Sequence, residues 1–262
     1  MELKVFQVDA FTDRIFGGNP ACVVPLNNWL PDDVLLNIAK ENAVTETAFF
    51  IPVRDHFHIR WFTPDIEMDL CGHATLATAH VLKSHLAYTS SHITFESKSG
   101  SLTVEKQSDR YTLNFPSRMP QQCVLPDAIR EGMDRQPSEV YKSRDYVLVF
   151  DKEEDIVQIK WNRAILDQIN LDPGGIIITA PGNTVDFVSR FFTTQSTIFE
   201  DPVTGSAHCS LIPFWSKRLN KKEMNALQLS DRVGKIMCVD AGDRVLISGQ
   251  AKTFLIGSIY IN

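Results

Sequence analysis

Alternation of apolar and polar residues dominates this chain and predicts that most of it forms β-strands. The clearest alternating stretch runs from Ile93 to Phe115 and is broken only by short polar turns. Helical periodicity is confined to a few segments, which we predict as helices: 31–42, the two stretches that begin at Gly72 and Gly205, and 162–169. Many strands with few helices predict an α+β fold.

The two halves of the chain resemble each other. Arg60–Leu82 and Arg190–Ile212 both begin Arg-aromatic-Phe-Thr, and both then reach a glycine that opens an apolar helical pattern. The similarity continues without a gap in the segments that begin at Ile93 and Leu227. Each half is therefore predicted to contain strand, turn, helix, strand, hairpin and strand in that order.

An internal duplication of this kind predicts two similar lobes related by a pseudo-two-fold axis. We expect each lobe to be a curved, mostly antiparallel sheet or barrel around one central helix. The irregular, proline-containing segment 116–126 is predicted to be the crossover, so residues 1–115 form the N-terminal lobe and residues 116–262 the C-terminal lobe. The last strand, 251–262, is compatible with either sheet.

Composition narrows the class of protein. Hydrophobic residues make up 44% and charged residues 22%, which is typical of a soluble globular protein. The net charge of −6 argues against nucleic-acid or anionic-membrane partners, and no apolar run reaches the ~18 residues of a membrane span. The start of the chain lacks the pattern of a signal peptide, and five cysteines without a C-x-x-C pair favour a reducing compartment. We expect a cytoplasmic protein.

Motifs for several common chemistries are absent from the sequence. Neither of the phosphate-binding glycine motifs and no G-x-S-x-G nucleophile motif occurs, and nothing singles out a lysine for a pyridoxal cofactor. His73 and His80 lie seven residues apart, which is too far for a metal site without other ligands. We expect neither a cofactor nor a metal.

Three segments carry residues suited to chemistry. The first is Glu46, between Thr45 and Thr47 at a predicted helix-to-strand junction. A carboxyl group surrounded by small and apolar residues can be desolvated, which suits it to proton transfer. The alternative is an ordinary surface acid in a turn.

The second segment is Cys71-Gly72-His73 at the start of the first glycine-led helix. A helix start favours anions and lowers the pKa of a cysteine thiol, and His73 could donate a hydrogen bond to a substrate carboxylate or act as an acid. The alternative is a capped helix with a buried thiol.

The third segment is Glu200–His208, which reads EDPVTGSAH. Pro202 holds Asp201 rigid, and the small residues around Gly205 allow a ligand to approach the backbone at a helix start. The alternative is simple helix capping. His208 is expected to pack or to point to solvent. Two such helix starts facing each other would suit a small carboxylate-bearing molecule whose proton is moved.

Four motifs together resemble the phenazine-biosynthesis PhzF-like family in order and approximate spacing, from residue 5 to about residue 220. They are VDAFTDRIFGGNPACVV, TETAFF, FTPDIEMDLCGHATLA and FEDPVTGSAH. The resemblance implies a diaminopimelate epimerase-like fold with two similar lobes and an active site between them. It also implies a homodimer, since homodimers are common in the family.

The resemblance further implies roles for individual residues. The family's enzyme moves a proton within a dihydro-hydroxyanthranilate without a cofactor, and its catalytic residues fall on Glu46, His73 and Asp201. Glu46 would take a proton from one carbon and return it to another. The residues expected to bind the substrate are Thr45, Cys71, Gly72, Gly205 and Ser206.

One departure separates the chain from epimerase relatives that use two cysteines as base and acid. Cys71 occupies the first place, but the second motif offers Asp201-Pro202-Val203 instead of a second thiol. We therefore expect a cofactor-independent isomerase acting on a small carboxylate. The alternatives are an epimerase that pairs Cys71 with Asp201 or Glu46, and a catalytically silent ligand-binding or interaction protein of the same fold.

Overall fold

The computed structural model describes residues 1–172 and 174–261. The helices are α1 (Asp32–Asn42), α2 (Gly72–Ser84), α3 (Asp127–Glu131), α4 (Glu153–Gln158), α5 (Arg163–Leu166) and α6 (Gly205–Leu219). The strands are β1 (Glu2–Ala10), β2 (Asn19–Pro25), β3 (Glu46–Val53), β4 (His56–Phe62), β5 (Glu67–Met68), β6 (His92–Ser97), β7 (Gly100–Gln107), β8 (Arg110–Pro116), β9 (Gln121–Gln122), β10 (Glu139–Lys142), β11 (Tyr146–Val149), β12 (Ile176–Pro181), β13 (Phe187–Phe192), β14 (Glu200–Asp201), β15 (Glu223–Gln228), β16 (Gly234–Asp240), β17 (Arg244–Gly249) and β18 (Ala251–Tyr260).

The chain divides into two compact units. Unit 1 contains Met1–Phe115 together with the segment that begins at Leu246, and unit 2 contains Pro116–Val245. The C-terminal strand β18 lies in unit 1, where it pairs antiparallel with β1 along its length. This pairing brings the first and last strands of the chain side by side.

The sheet of unit 1 is mixed. Its strands follow the order β18, β1, β2, β3, β4, β6, β7 and β8, and the short β5 pairs with β4. Two pairings are parallel, β2 with β3 and β4 with β6, because α1 and α2 return the chain to the same end of the sheet. The remaining pairings are antiparallel.

Unit 2 repeats this pattern. Its strands follow the order β9, β10, β11, β12, β13, β15 and β16, with parallel pairings between β11 and β12 and between β13 and β15. The two-residue strand β14 pairs with β13, as β5 pairs with β4, and a long helix follows each of them. The hairpins agree with the sequence prediction. The predicted sheet was mostly antiparallel, and the parallel pairings were not predicted individually.

The two long helices α2 and α6 are buried on nearly all sides. Residues Gly205–Ser216 of α6 are all buried, and in α2 only His80 interrupts burial between Gly72 and Leu82. Helices that are apolar all round lie inside a core, so the polar groups at their starts are desolvated. Within the described ranges, no helix combines the length and hydropathy needed to cross a membrane.

The repeated Arg-aromatic-Phe motif has a structural role. Arg60 binds both carboxylate oxygens of Glu67, at 2.7 and 2.8 Å, and Arg190 binds Glu200 at the same two distances. In each unit this bidentate pair ties a long strand to the short strand that precedes the buried helix. Glu200, the first acid of EDPVTGSAH, is therefore engaged in this clamp.

The predicted helices agree with the helices of the structure to different degrees. Helices α1, α2 and α6 lie where periodicity placed them, whereas the predicted helix 162–169 contains only the single turn of α5. The short helices α3 and α4 were not predicted. One or two helical turns contain too few residues for apolar periodicity to stand out.

Gly18 is required by the tight turn before β2. Its φ is +58°, and a Cβ built there would lie 2.0 Å from the backbone oxygen of Ala10. We expect Gly18→Ala to lower the free energy of unfolding by roughly 3 kcal/mol or more, because left-handed backbone and overlap both oppose a side chain. Chemical denaturation measures this loss.

Gly100 is the matched control for this substitution. It also has a positive φ, +89°, but no atom lies within 4 Å of a built Cβ. Gly100→Ala should therefore cost only about 1 kcal/mol, the cost of the left-handed backbone alone. Equal losses in the two variants would show that the overlap at Gly18 is relieved without strain.

Candidate active site

In unit 1, local structure brings Glu46 and His73 together. Helix α1 ends at Ala43 in a left-handed conformation, and Glu46 then opens β3. His73 is the second residue of α2, which begins at Gly72. The result is a distance of 3.1 Å between Glu46 Oε2 and His73 Nε2, with the two side chains 12% and 2% exposed.

The Glu46 carboxylate is close to His73 without being hydrogen-bonded to it. Within the described chain, its buried oxygen Oε2 has no hydrogen-bond partner. The 3.1 Å contact with Nε2 is therefore electrostatic, whereas Thr45 Oγ1 lies 3.2 Å from Nε2 in hydrogen-bonding geometry. A buried carboxylate oxygen without a hydrogen bond is costly and is suited to taking up a proton.

The imidazole of His73 is held from its other side by Asn19. Asn19 Nδ2 lies 3.1 Å from His73 Nδ1, and the Thr45 hydroxyl donates to Asn19 Oδ1 at 2.6 Å. Thr45, which the sequence analysis assigned to the substrate, is thus part of this buried network. Asn19 was not predicted, although it lies inside the motif GGNPACVV.

Cys71 is the N-cap residue of α2, with its Sγ 3.6 Å from His73 Nδ1. Burial, followed by the negative charge of Glu46, raises the pKa of the Cys71 thiol to about 11. The expected lowering of its pKa by the helix start is wrong, because desolvation outweighs the helix dipole. Cys71 is a neutral thiol at physiological pH.

Opposing influences act on His73. Burial alone would lower its pKa, but the negative charges of Cys71 and Glu46 and their close contacts with the imidazole outweigh burial and hold the pKa well above its ordinary value. Because the Cys71 thiol stays protonated near neutral pH, Glu46 is the partner that favours the imidazolium there. Glu46 and His73 are therefore electrostatically coupled in a desolvated site.

Glu46, Cys71 and His73 each offer a metal-ligand atom, and these atoms lie within 4.8 Å of one another. The carboxylate contacts Nε2, however, while the thiol lies beside Nδ1. The lone pairs of the two ring nitrogens diverge, so an ion at one nitrogen turns away from the ligand beside the other. This arrangement suits proton transfer better than a metal, and the absence of a metal stays a prediction.

In unit 2, Asp201 is oriented by the start of α6. The hydroxyl of the N-cap residue Thr204 donates to Asp201 Oδ2 at 2.5 Å. The buried side chain of Gln228 accepts from the Thr204 N–H at 2.8 Å and donates to the Asp201 carbonyl at 2.7 Å. Gln228, which was not predicted, thereby fixes the segment that carries Asp201.

Ser206 lies one residue inside the same helix start and contacts a cation. Arg144 Nη2 donates to Ser206 Oγ at 2.9 Å and also pairs with the buried Asp145 at 3.0 Å. Gly205 and Ser206 are themselves buried. Nothing in the local sequence around Arg144 indicated this role, because the turn between β10 and β11 approaches α6 only in the folded chain.

His208 packs in the interior of unit 2. Its Nδ1 donates to the Thr204 carbonyl at 2.8 Å, and its ring lies against Phe187 with centroids 6.0 Å apart. Burial lowers the pKa of His208 to about 4, so the imidazole is neutral at physiological pH. Its role is structural.

The structure therefore arranges the predicted residues in two sets, each described within its own unit. Unit 1 holds Thr45, Glu46, Cys71, Gly72 and His73, and unit 2 holds Asp201, Gly205 and Ser206. In both units the set lies at the start of a buried helix and includes a hydrogen-bonded polar network.

Comparison with known proteins identifies the family. The family model described as phenazine biosynthesis-like protein matches residues 8–257. A protein of Pseudomonas aeruginosa named as an uncharacterized isomerase is 44% identical over 261 residues, covering 100% of both chains. The crystal structure of a PhzF-family phenazine biosynthesis protein from Enterococcus faecalis matches with a TM-score of 0.93 and 42% identity, again covering 100% of both.

More distant structures share the fold alone. A hydroxyproline epimerase from Agrobacterium vitis matches with a TM-score of 0.63 at 10% identity, covering 98% of this chain and 92% of that one. The predicted resemblance and the predicted enzyme class, an isomerase, are confirmed by the family model and by the names of the bacterial relatives. This chain belongs to the phenazine biosynthesis-like family of isomerases.

Proposed function

We propose that the protein catalyses a cofactor-independent proton shift within a small carboxylate-bearing metabolite, with Glu46 as the base. The observation that carries this proposal is the buried Glu46 oxygen, which lies 3.1 Å from His73 and lacks a hydrogen bond. A carboxylate in this environment can accept a proton from carbon and return it.

Glu46 and His73 divide the work. A C–H bond of the substrate breaks, its proton moves to Glu46, and the electron pair left behind delocalises into the neighbouring unsaturated system. His73 stabilises the negative charge that develops, because its imidazole is desolvated and favours the protonated form. Glu46 then returns the proton to a second carbon, so atoms and charge balance without a cofactor.

The unit 2 set supplies recognition in this proposal. The start of α6 presents backbone N–H groups at Gly205 and Ser206, and Arg144, which is paired with Asp145, adds guanidinium N–H donors beside Ser206. Both features favour an anion such as a carboxylate. We propose that Asp201 polarises the same substrate and that the two sets serve one ligand, as the duplicated motifs predict.

Exchange with solvent deuterium tests the proposal. The protein is incubated in D2O with small unsaturated carboxylates, selected by native mass spectrometry from metabolites that bind it, and each ligand is examined by NMR. We expect deuterium to enter a carbon position, since a proton held by Glu46 exchanges before its return. Binding without exchange would instead support the silent ligand-binding alternative.

An epimerase that uses Cys71 is the second candidate, favoured by the position of Cys71 beside His73 and by the shared epimerase fold. Cys71→Ala separates the two. We expect this variant to keep most of its turnover, within about threefold, because a thiol with a pKa near 11 is a poor base at neutral pH. A thiol-dependent enzyme would lose nearly all of its turnover in a steady-state rate assay.

The family resemblance supports a homodimer, and the composition supports a cytoplasmic location without nucleic-acid or membrane partners. The proposed lobes, 1–115 and 116–262, each carry one of the two sets.

A further inference from the structure

Gln228 is the last residue of β15, and its buried side chain holds the segment from Asp201 to Thr204 that leads into α6. Its Oε1 accepts the Thr204 N–H at 2.8 Å, and its Nε2 donates to the Asp201 carbonyl at 2.7 Å. A backbone N–H can only donate and a backbone carbonyl can only accept. These two partners therefore fix the orientation of the amide, because the reversed amide would set each of them against a like group.

The fixed amide also fixes the hydroxyl of Thr204. The second N–H of Gln228 Nε2 donates to Thr204 Oγ1 at 3.1 Å, so this oxygen acts as an acceptor towards the amide. A hydroxyl has one proton, and that of Thr204 is donated to Asp201 Oδ2 at 2.5 Å. The three groups form a relay in one direction, from the amide of Gln228 through the hydroxyl of Thr204 to the carboxylate of Asp201.

Thr204 does not use its hydroxyl in the way that is usual for its position. It is the N-cap residue of α6, and a threonine there commonly accepts a backbone N–H of the first helical turn. In the described part of the chain its side chain makes no such capping bond. The position of the hydroxyl is therefore explained by its contacts with Gln228 and Asp201 and not by helix capping.

The segment before α6 has further hydrogen bonds that do not involve Gln228. The carbonyl of Thr204 accepts from His208 Nδ1 at 2.8 Å, and the hydroxyl of Ser230 donates to the carbonyl of Pro202 at 2.9 Å. A substitution of Gln228 leaves both of these bonds in place. We therefore expect the start of α6 to persist in Gln228 variants.

We propose that Gln228 is a positioning residue, which orients the Asp201 carboxylate through the hydroxyl of Thr204. Its two N–H groups hold the main chain of Asp201 and keep the Thr204 proton on Asp201 Oδ2. A carboxylate that is held at one oxygen cannot turn freely about its Cβ–Cγ bond, so the relay narrows the orientations in which it meets the substrate. This inference rests on the proposed function, in which Asp201 polarises the substrate.

The relay itself can be tested without turnover. ¹H–¹⁵N NMR of isotope-labelled protein, with the side chain of Gln228 assigned from its backbone signals, resolves the two Nε2 protons. Thr204→Val preserves the shape of the side chain but removes the hydroxyl, so the proton that points at Oγ1 should shift clearly more than the proton on the Asp201 carbonyl. Thr204→Ser keeps the hydroxyl and should leave both signals close to their native positions. Two signals that are both unaffected by Thr204→Val would overturn the relay.

Activity then tests the effect on Asp201. On a substrate found by deuterium exchange, Gln228→Met should lower kcat by about tenfold or more and change KM less, because a misdirected carboxylate acts mainly on the transition state. Thr204→Val should have a similar effect, and Thr204→Ser should restore most of the native rate. The variant that combines Gln228→Met with Thr204→Val should be slower than the slower single variant by no more than about twofold, since both changes interrupt one relay.

Ser230→Ala is the matched control for these substitutions. It removes a hydrogen bond to the same segment, at the carbonyl of Pro202, and leaves the three bonds of the relay in place. Its melting temperature should fall, while its kcat should stay within about threefold of the native value. An equal loss of kcat in Ser230→Ala and in Gln228→Met would show that any loosening of the segment slows the reaction, and would overturn the specific role of the relay.

The outcomes separate this inference from the proposed function. A merely structural Gln228 would lower the melting temperature and leave kcat in place, or its effect would multiply with that of Thr204→Val, and either result would overturn the inference. If Gln228→Met did not fold, equal rates in Thr204→Val and Thr204→Ser would overturn it instead. If the native protein showed no deuterium exchange with any ligand, the proposed function would fail, and the NMR experiment would still decide whether the relay exists.

Discussion

Glu46→Gln is expected to remove activity while leaving the fold intact. The substitution preserves the size of the side chain but deletes the only group in this site that can accept a proton from carbon in the proposed scheme. General acid–base groups contribute about 10²–10⁴-fold to rates, so kcat in the deuterium-exchange assay should fall by at least about 10²-fold. Because Glu46 favours the imidazolium of the buried His73, the variant should lose some stability near neutral pH but remain folded.

Glu41→Gln is the matched control for this prediction. Glu41 is exposed on α1, five residues earlier in the chain, and the substitution removes the same charge. Its rate should equal that of the native protein. A loss of less than about tenfold in Glu46→Gln, measured on a true substrate, would remove Glu46 from the role of base.

The sequence predicted the parts of this fold that depend on local patterns. The run from Ile93 to Phe115 forms β6, β7 and β8, because alternation and short polar turns specify hairpins between neighbouring segments. The starts of α2 and α6 at Gly72 and Gly205 were also visible, since each glycine precedes a long apolar stretch. Parallel pairings were not, because they join strands separated by helices.

The candidate site, like the fold, could be predicted only in part from the sequence. Glu46, His73 and Asp201 were found through motifs, and the structure shows what surrounds them. Asn19 and Gln228 were missed because each is a single buried amide whose partners lie far away in the sequence. Hydrogen bonds between distant segments leave no periodic signal, so only the folded chain reveals them.

Cys71 shows that a local sequence motif does not determine the pKa of a side chain. From sequence, a cysteine at a helix start is expected to be an activated thiolate. In the structure the helix is enclosed by its sheet, and burial raises the pKa of the thiol to about 11. Whether a helix start activates a side chain depends on exposure, which the local motif does not contain.

Acid should destabilise the protein through His208. Burial lowers the pKa of His208 to about 4 in the folded state, whereas an unfolded chain keeps the ordinary value of about 6.5. Between pH 6.5 and about 4, His208 therefore binds a proton in the unfolded chain but not in the folded protein. The contribution of His208 to stability is complete above about pH 6.5 and is lost as the pH falls towards 4.

The expected size of this loss is about 3 kcal/mol, from 1.36 kcal/mol for each unit of pKa difference. Urea unfolding at a series of pH values between 7 and 4 measures this loss. Between these pH values the free energy of unfolding of His208→Gln should fall by about 3 kcal/mol less than that of the native protein, whatever the stability of the variant at pH 7. His73 does not interfere, because its pKa is raised and its contribution is constant below pH 6.5. His80 has a similarly lowered pKa but is partly exposed, and it is unchanged in the variant.

His92→Gln is the control for the substitution itself, because His92 is exposed. The comparison also bears on the site, since His208 bonds the carbonyl of Thr204, whose hydroxyl orients Asp201. Protonation of His208 in the folded protein would bury a charge beside this helix start. We therefore expect His208 to be protonated only when the core around α6 opens, and the hydrogen bonds that orient Asp201 to be lost at the same time. If the free energy of unfolding depended on pH equally in the native protein and in His208→Gln, the imidazole would be solvated before unfolding. The start of α6 would then be more exposed to water than the structure shows.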